Sequence, residues 1–145
     1  MRITKNFTLE ELTKSGTAIR HGINNQPGQQ ELLNMFHLTV SLLQPLRDMI
    51  KQPITVNSCY RSRNLNELIG GARNSQHMSG QAADIESPGM DNADLFDLIR
   101  THFVYDQLIL EYYREGIPDS GWIHVSYVDG PNRMETLFIN SDQPS

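Results

Sequence analysis

Cysteine is almost absent from this sequence. Cys59 stands alone, so no disulfide can form within the chain and nothing ties the fold to an oxidising or a reducing compartment. Long apolar runs are missing too: no stretch approaches the roughly 20 apolar residues that a membrane span requires. The first residues, Met1 to Leu12, lack the apolar core of a secretory signal, which predicts synthesis in the cytoplasm without a signal peptide. Basic residues are the minority charge, 12 Lys and Arg against 17 Asp and Glu, and they are scattered. That argues against a nucleic-acid partner, since phosphate binding needs a clustered basic surface. Low-complexity tracts and internal repeats are also lacking. What remains is an ordinary globular composition, 38% hydrophobic and 20% charged over 145 residues. It predicts one domain over 1–145, with a helix and loop in 1–28, a flexible tail at 140–145, and a monomer.

Local signals place the elements. Thr8 and Glu11 form a capping-box pattern ahead of apolar residues, predicting a short helix to about Lys14 that Ser15 and Gly16 end. Residues 17–28, rich in Gly, Asn and Pro, read as a loop. From Gln29 to Lys51, Leu32, Leu33, Phe36, Val40, Leu43, Leu46 and Ile50 recur at helical spacing and predict one buried stripe, kinked or split at Pro45. Residues 54–60 alternate as a half-buried strand, with Ile54, Val56, Ser58 and Tyr60 on one side. Ser62 caps a helix running to Gly70 and Gly71. Strands are predicted at 80–86, 106–111, 122–127 and 134–139, the last beside 122–127, with a helix near 91–101 that begins at Asp91. Helices early and strands late predict an α+β fold, helices packed on one face of a small, mainly antiparallel sheet.

The residues able to do chemistry cluster in two strings. In Ser75-Gln-His77-Met-Ser-Gly80-Gln-Ala82-Ala-Asp84, a histidine in a turn precedes by seven residues an aspartate on an incoming strand. Strand periodicity puts Ala82, Asp84 and Glu86 on one face, and Trp122, His124 and Ser126 likewise share a face. Two imidazoles and one carboxylate are the donor set of a catalytic zinc site, which keeps three protein ligands and leaves a position open for water. His77, Asp84 and His124 are thus candidate Zn2+ ligands in a cleft on the sheet. A lone histidine ordinarily reads as a surface or core residue, and what tips the balance is the pairing of the string around His77 with Trp-Ile-His-Val-Ser at 122–126. The isolated His21, His37 and His102 carry no such pattern.

These strings resemble the zinc D-Ala-D-Ala carboxypeptidase family, which includes phage L-alanyl-D-glutamate endolysins and, more distantly, a hedgehog-like zinc fold. The resemblance covers roughly residues 30–128 at the level of motifs. It implies that His77, Asp84 and His124 hold zinc, and that Arg61, within Tyr60-Arg61-Ser62, contacts substrate near the scissile carbonyl. The implied activity is hydrolysis of peptide bonds in peptidoglycan stem peptides, either as a D-Ala-D-Ala carboxypeptidase or as an endolysin-type endopeptidase. Such a substrate lies in the cell wall, reached in a phage setting after holin-mediated release.

The general base departs from the family pattern. Several relatives carry an acidic residue three positions before the last histidine, where this chain has Gly121. Glu111, at the end of Tyr105-Asp-Gln-Leu-Ile-Leu-Glu111, resembles the hedgehog-like alternative and is the predicted base, with Asp119 in reserve. Ser75 and Trp122 complete the expected substrate-binding set. The competing expectation, which Gly121 favours, is a catalytically inactive zinc-containing module that binds peptides or cell wall.

Overall fold

The computed structural model describes residues 1–140. The flexible tail expected at 140–145 therefore falls, from residue 141 onward, outside the described residues.

The chain opens with a small hairpin of β1 (Arg2–Thr4) and β2 (Phe7–Thr8), which carried no clear alternation in sequence. The Thr8 hydroxyl accepts the Glu11 amide and starts α1 (Leu9–Thr13) as expected. Ser15 begins a second helix instead of only ending the first. Its hydroxyl accepts the Ala18 amide at 3.1 Å and caps α2 (Gly16–Arg20), in the first part of the expected loop. A serine hydroxyl satisfies a free first-turn donor, which is what tips so short a segment into a helix.

The long apolar segment becomes α3 (Gln29–Leu38), a π-helical turn (Thr39–Leu43) and α4 (Gln44–Ile50). Pro45 cannot donate a backbone hydrogen bond and crowds the carbonyl four residues back. The turn before it widens, and the Gln44 amide donates to Thr39 five residues earlier. The extra residue rotates the helix surface by about 100°, which breaks the single stripe expected from sequence. Met35, Leu38, Leu42, Leu43 and Leu46 are buried, whereas Leu33, Phe36 and Val40 stand exposed.

The main sheet contains β3 (Thr55–Ser58), β4 (Ala82–Glu86), β5 (Gln107–Glu111), β6 (Trp122–Ser126) and β7 (Glu135–Ile139), in the order β3-β4-β6-β5-β7. All neighbours are antiparallel except β5 and β7, which run parallel. The last strand was expected beside 122–127. Both edges of β6 are already taken by β4 and β5, so β7 adds to the open edge of β5. Two further helices, α5 (Arg63–Leu68) and α6 (Asn92–His102), begin at Ser62 and Asp91, each cap accepting a first-turn amide.

Alternation along the three central strands divides the sheet into two chemical faces. Ala83, Ile85, Leu108, Leu110, Ile123 and Val125 join Leu95, Phe96 and Ile99 of α6 and Leu42, Leu43 and Leu46 in one apolar core. Asp84, Ile109, Glu111, Trp122 and His124 occupy the opposite face, as the register pairs show. The fold is α+β, and its core leaves the second face for polar groups.

Candidate metal centre

Asp84 and His124 are directly opposed in the β4–β6 register, so the alternation that buries Ala83 and Val125 on one side brings these two together on the other. His77 reaches them from a 3₁₀ turn, Gln76–Ser79, capped by the Ser75 hydroxyl. Gly80 closes that turn with φ +76, and a Cβ there would lie 2.5 Å from the Glu31 carbonyl oxygen. Only glycine combines that backbone conformation with so close an approach to α3.

The three donors form a tight group. His77 Nε2 lies 3.3 Å and His124 Nδ1 lies 3.1 Å from Asp84 Oδ1, and one ligand atom from each residue falls within 4.8 Å of the other two. His77 Nδ1 donates to the Cys59 carbonyl at 2.7 Å. A carbonyl can only accept, so the proton sits on Nδ1 and the Nε2 lone pair faces Asp84. Imidazole lone pairs and an anionic oxygen converging in a buried place repel one another unless a cation or a proton lies among them. Burial by itself raises the Asp84 pKa, whereas positive charge among the donors, carried by protonated His77 and His124 where no cation is bound, holds it well below the usual carboxylate range. The donor set fits a zinc ion: ligands at about 2.0–2.1 Å in a tetrahedral array stand about 3.3 Å apart, close to the two separations observed.

Arg61 packs behind Asp84 and is 6% exposed. Its Nη2 donates to Asp84 Oδ2 at 3.4 Å, its Nη1 to Asn66 Oδ1 at 3.0 Å and its Nε to the Ser58 hydroxyl at 3.1 Å. Ser58 faces this way because β3 carries a bulge. Val56 pairs with Ile85, but Ser58 pairs with Asp84, so one residue is gained between them. The regular alternation expected over 54–60 ends there, and Cys59 and Tyr60 both turn into the core. Sequence reading missed Ser58 and Asn66 as partners of Arg61, and the Cys59 carbonyl as the group orienting His77. A bulge and a backbone acceptor leave no mark in residue type, and Asn66 is one of several polar residues in Arg63–Leu68, so nothing in the sequence singled it out.

Glu111 lies on the same face, opposite Trp122 and two residues along from Ile109, the partner of His124. It is 1% exposed. Burial, and then the nearby Asp84 charge, push its carboxyl up to about 7. Trp122 Nε1 donates to Glu111 Oε2 at 3.2 Å, and the indole packs against Tyr112 with ring centres 5.1 Å apart. Asp119, by contrast, is exposed in the loop between β5 and β6.

Gly121 stands three residues before His124, where the resemblance led one to expect an acid, and its backbone excludes a side chain there. Its φ is +66, and a Cβ would lie 2.1 Å from the Glu111 carbonyl oxygen. The loop is held there by Asn92, whose amide nitrogen donates to the Ser120 and Gly121 carbonyls. No side chain fits at 121 without moving β5. Gly121→Asp is therefore expected to cost about 1–3 kcal/mol of stability and to supply no new base. Urea denaturation checks the first point, and turnover of Gly121→Asp in a Glu111→Gln background checks the second.

The predicted site residues are thus brought together: His77, Asp84 and His124 as one cluster, Arg61 and Ser75 behind it, and Glu111 with Trp122 beside it. Zinc D-Ala-D-Ala carboxypeptidase of Streptomyces albus G is 41% identical to this chain over 66 residues, which cover 45% of the chain and 26% of that protein. The chain thus aligns with about a quarter of the length of that curated relative. The model of the peptidase M15 family matches residues 5–126, a span that takes in each of these side chains, and the chain belongs to that family.

Proposed function

We propose that this chain is a zinc-dependent peptidase of peptidoglycan stem peptides, acting as a D-Ala-D-Ala carboxypeptidase or as an endolysin-type endopeptidase. In this reading residues 1–145 form one peptidase domain. His77, Asp84 and His124 hold the metal, Glu111 is the proton carrier, and Arg61 binds substrate with Ser75 and Trp122 shaping its surroundings. The observation that carries the reading is Glu111: a buried carboxyl drawn toward neutrality, on the face of the sheet that carries the metal donors. An inactive binding module has no need of such a group.

Bound zinc would supply a polarised carbonyl and a water of lowered pKa. Glu111 takes the proton released as water attacks, and returns it to the departing amine nitrogen. A carboxyl whose burial raises it above the ordinary glutamate range can take up and give back that proton. The Trp122 indole holds one Glu111 oxygen, which limits the rotation of the carboxyl group. Arg61 presents positive charge beside the carboxylate donor. Three of its five N–H bonds are used within the protein among the described residues, and the remaining two are assigned to a substrate oxygen on which charge develops. All of these groups come from one chain, so a monomer suffices. The name of the relative supports D-Ala-D-Ala peptides as the substrate class, and the cell wall as the place of action is part of the same proposal. Among the described residues no helix is long and apolar enough to cross a membrane.

Treatment with a chelator is expected to abolish release of new amines from purified peptidoglycan, and added zinc to restore it. Mass spectrometry of fragments from a defined muropeptide identifies the bond. Equal release with and without chelator would contradict the metal-dependent reading, and no release in either sample would contradict the peptidase.

A further inference from the structure

A cleft of about 380 Å³ runs from His124 across the face of β5 and β7 that is turned away from the core. Ile109, Leu137 and Ile139 give it an apolar floor, Gln107 lies along it, and Arg133 stands at the far end. Arg133 is held in one orientation. Its Nε donates to both oxygens of Asp106, at 3.2 and 3.1 Å, its Nη2 to Oδ2 at 2.8 Å, and its own amide to Oδ1 at 2.9 Å. Asp106 is 4% exposed and also accepts the Gln76 side chain, next to His77. The side chain of Arg133 nevertheless remains 55% exposed. Its Nη1 edge makes no hydrogen bond among the described residues.

A planar guanidinium fixed along one edge offers the other to a carboxylate. Asp106 neighbours β5 three residues before Ile109, the partner of His124, which at roughly 3.3 Å per residue sets the two ends of the cleft about 10 Å apart. That is the reach of about two to three residues of extended peptide. We infer that Arg133 is a specificity-determining residue that binds a carboxylate of the peptide substrate, away from the bond that is cut. The inference rests on the peptidase reading and deepens it by naming the substrate group the cleft selects.

Two sources could provide a carboxylate at that distance, an internal one where the terminal bond is cut or the terminal one where an internal bond is cut, and the test separates them. The probe is a synthetic stem pentapeptide, L-Ala-γ-D-Glu-L-Lys-D-Ala-D-Ala, in its free form, as the C-terminal amide and as the D-Glu α-amide. Binding is followed by the fluorescence of Trp122, the single tryptophan, and KM and kcat are measured alongside. One of the two amides is expected to weaken binding by about 10- to 100-fold and to raise KM similarly with kcat little changed. Arg133→Gln should bind the acid and that amide equally. Because Arg133→Gln also unpairs the buried Asp106, Arg133→Lys, which keeps a cation there, serves as the second variant and should show a reduced preference. If neither amide weakens binding to the wild type, or if Arg133→Gln discriminates as the wild type does, the assignment is overturned. If the wild type cleaves no form, the peptidase reading fails, while the binding measurements still decide the role of Arg133.

Discussion

Glu111→Gln is expected to lower turnover by about 10²- to 10⁴-fold, the range lost when a positioned general base is removed, while metal content stays at its wild-type level. Glutamine matches the volume of the buried side chain and still offers an oxygen to the Trp122 indole, but it cannot take up a proton. Elemental analysis of the purified variant and rates on a defined muropeptide test the two halves separately. The wild-type rate should also show an acid limb that Glu111→Gln lacks. In the metal-free protein the carboxyl titrates at about 7. A bound cation nearby lowers that value, so the limb of the loaded enzyme lies below it.

Stability supplies an independent reading of the same residue. The folded-state pKa is raised above the ordinary 4.5 of glutamate to about 7, so between these values the folded protein holds a proton that the unfolded chain has released. The metal-free wild type therefore loses stability as pH rises through that window and keeps the penalty above it. Glu111→Gln removes the dependence. Thermal melts of both metal-free proteins at pH 5 and pH 8 are expected to show a larger drop for the wild type. A near-native rate in the variant would move the proton-transfer role elsewhere, with Asp119 next in order.

His124→Ala should remove bound metal and activity together. The imidazole is 2% exposed and directly opposes Asp84, so its loss takes away one of three donors and opens a gap beside the other two. Losing merely a group that orients a ligand commonly costs 10- to 100-fold in metal affinity, and loss of a ligand itself should exceed that. The expected measurement is near-zero zinc after dialysis. The melting temperature should fall relative to the loaded wild type, because metal binding contributes to folding free energy. Full zinc occupancy in His124→Ala would remove this residue from the ligand set.

Much of the site was legible in the sequence because it depends on short-range rules. Period-2 alternation alone put Asp84 and His124 on polar faces, and Thr8, Ser62 and Asp91 announced their helices through side-chain oxygens. Other features depend on contacts between distant segments. The bulge that turns Ser58 toward Arg61 follows from how β3 must meet β4. The parallel placement of β7 follows from which sheet edge remains open. The π-turn was half legible: Pro45 signalled a break, but the accompanying rotation of the helix surface, which exposes Phe36 and Val40, required the packed core to define which side faces inward. Gly121 was visible as an oddity, and only the backbone of β5 pressed against it gives the reason.

His77 belongs to a turn before β4, Asp84 to β4 itself and His124 to β6, the strand that joins β4 to β5. A chain still emerging from the ribosome has no third donor until β6 has been made and has paired between its neighbours. Assembly of the cluster therefore waits on β6, and a copy that lacks this strand or has not yet paired it is expected to hold no metal.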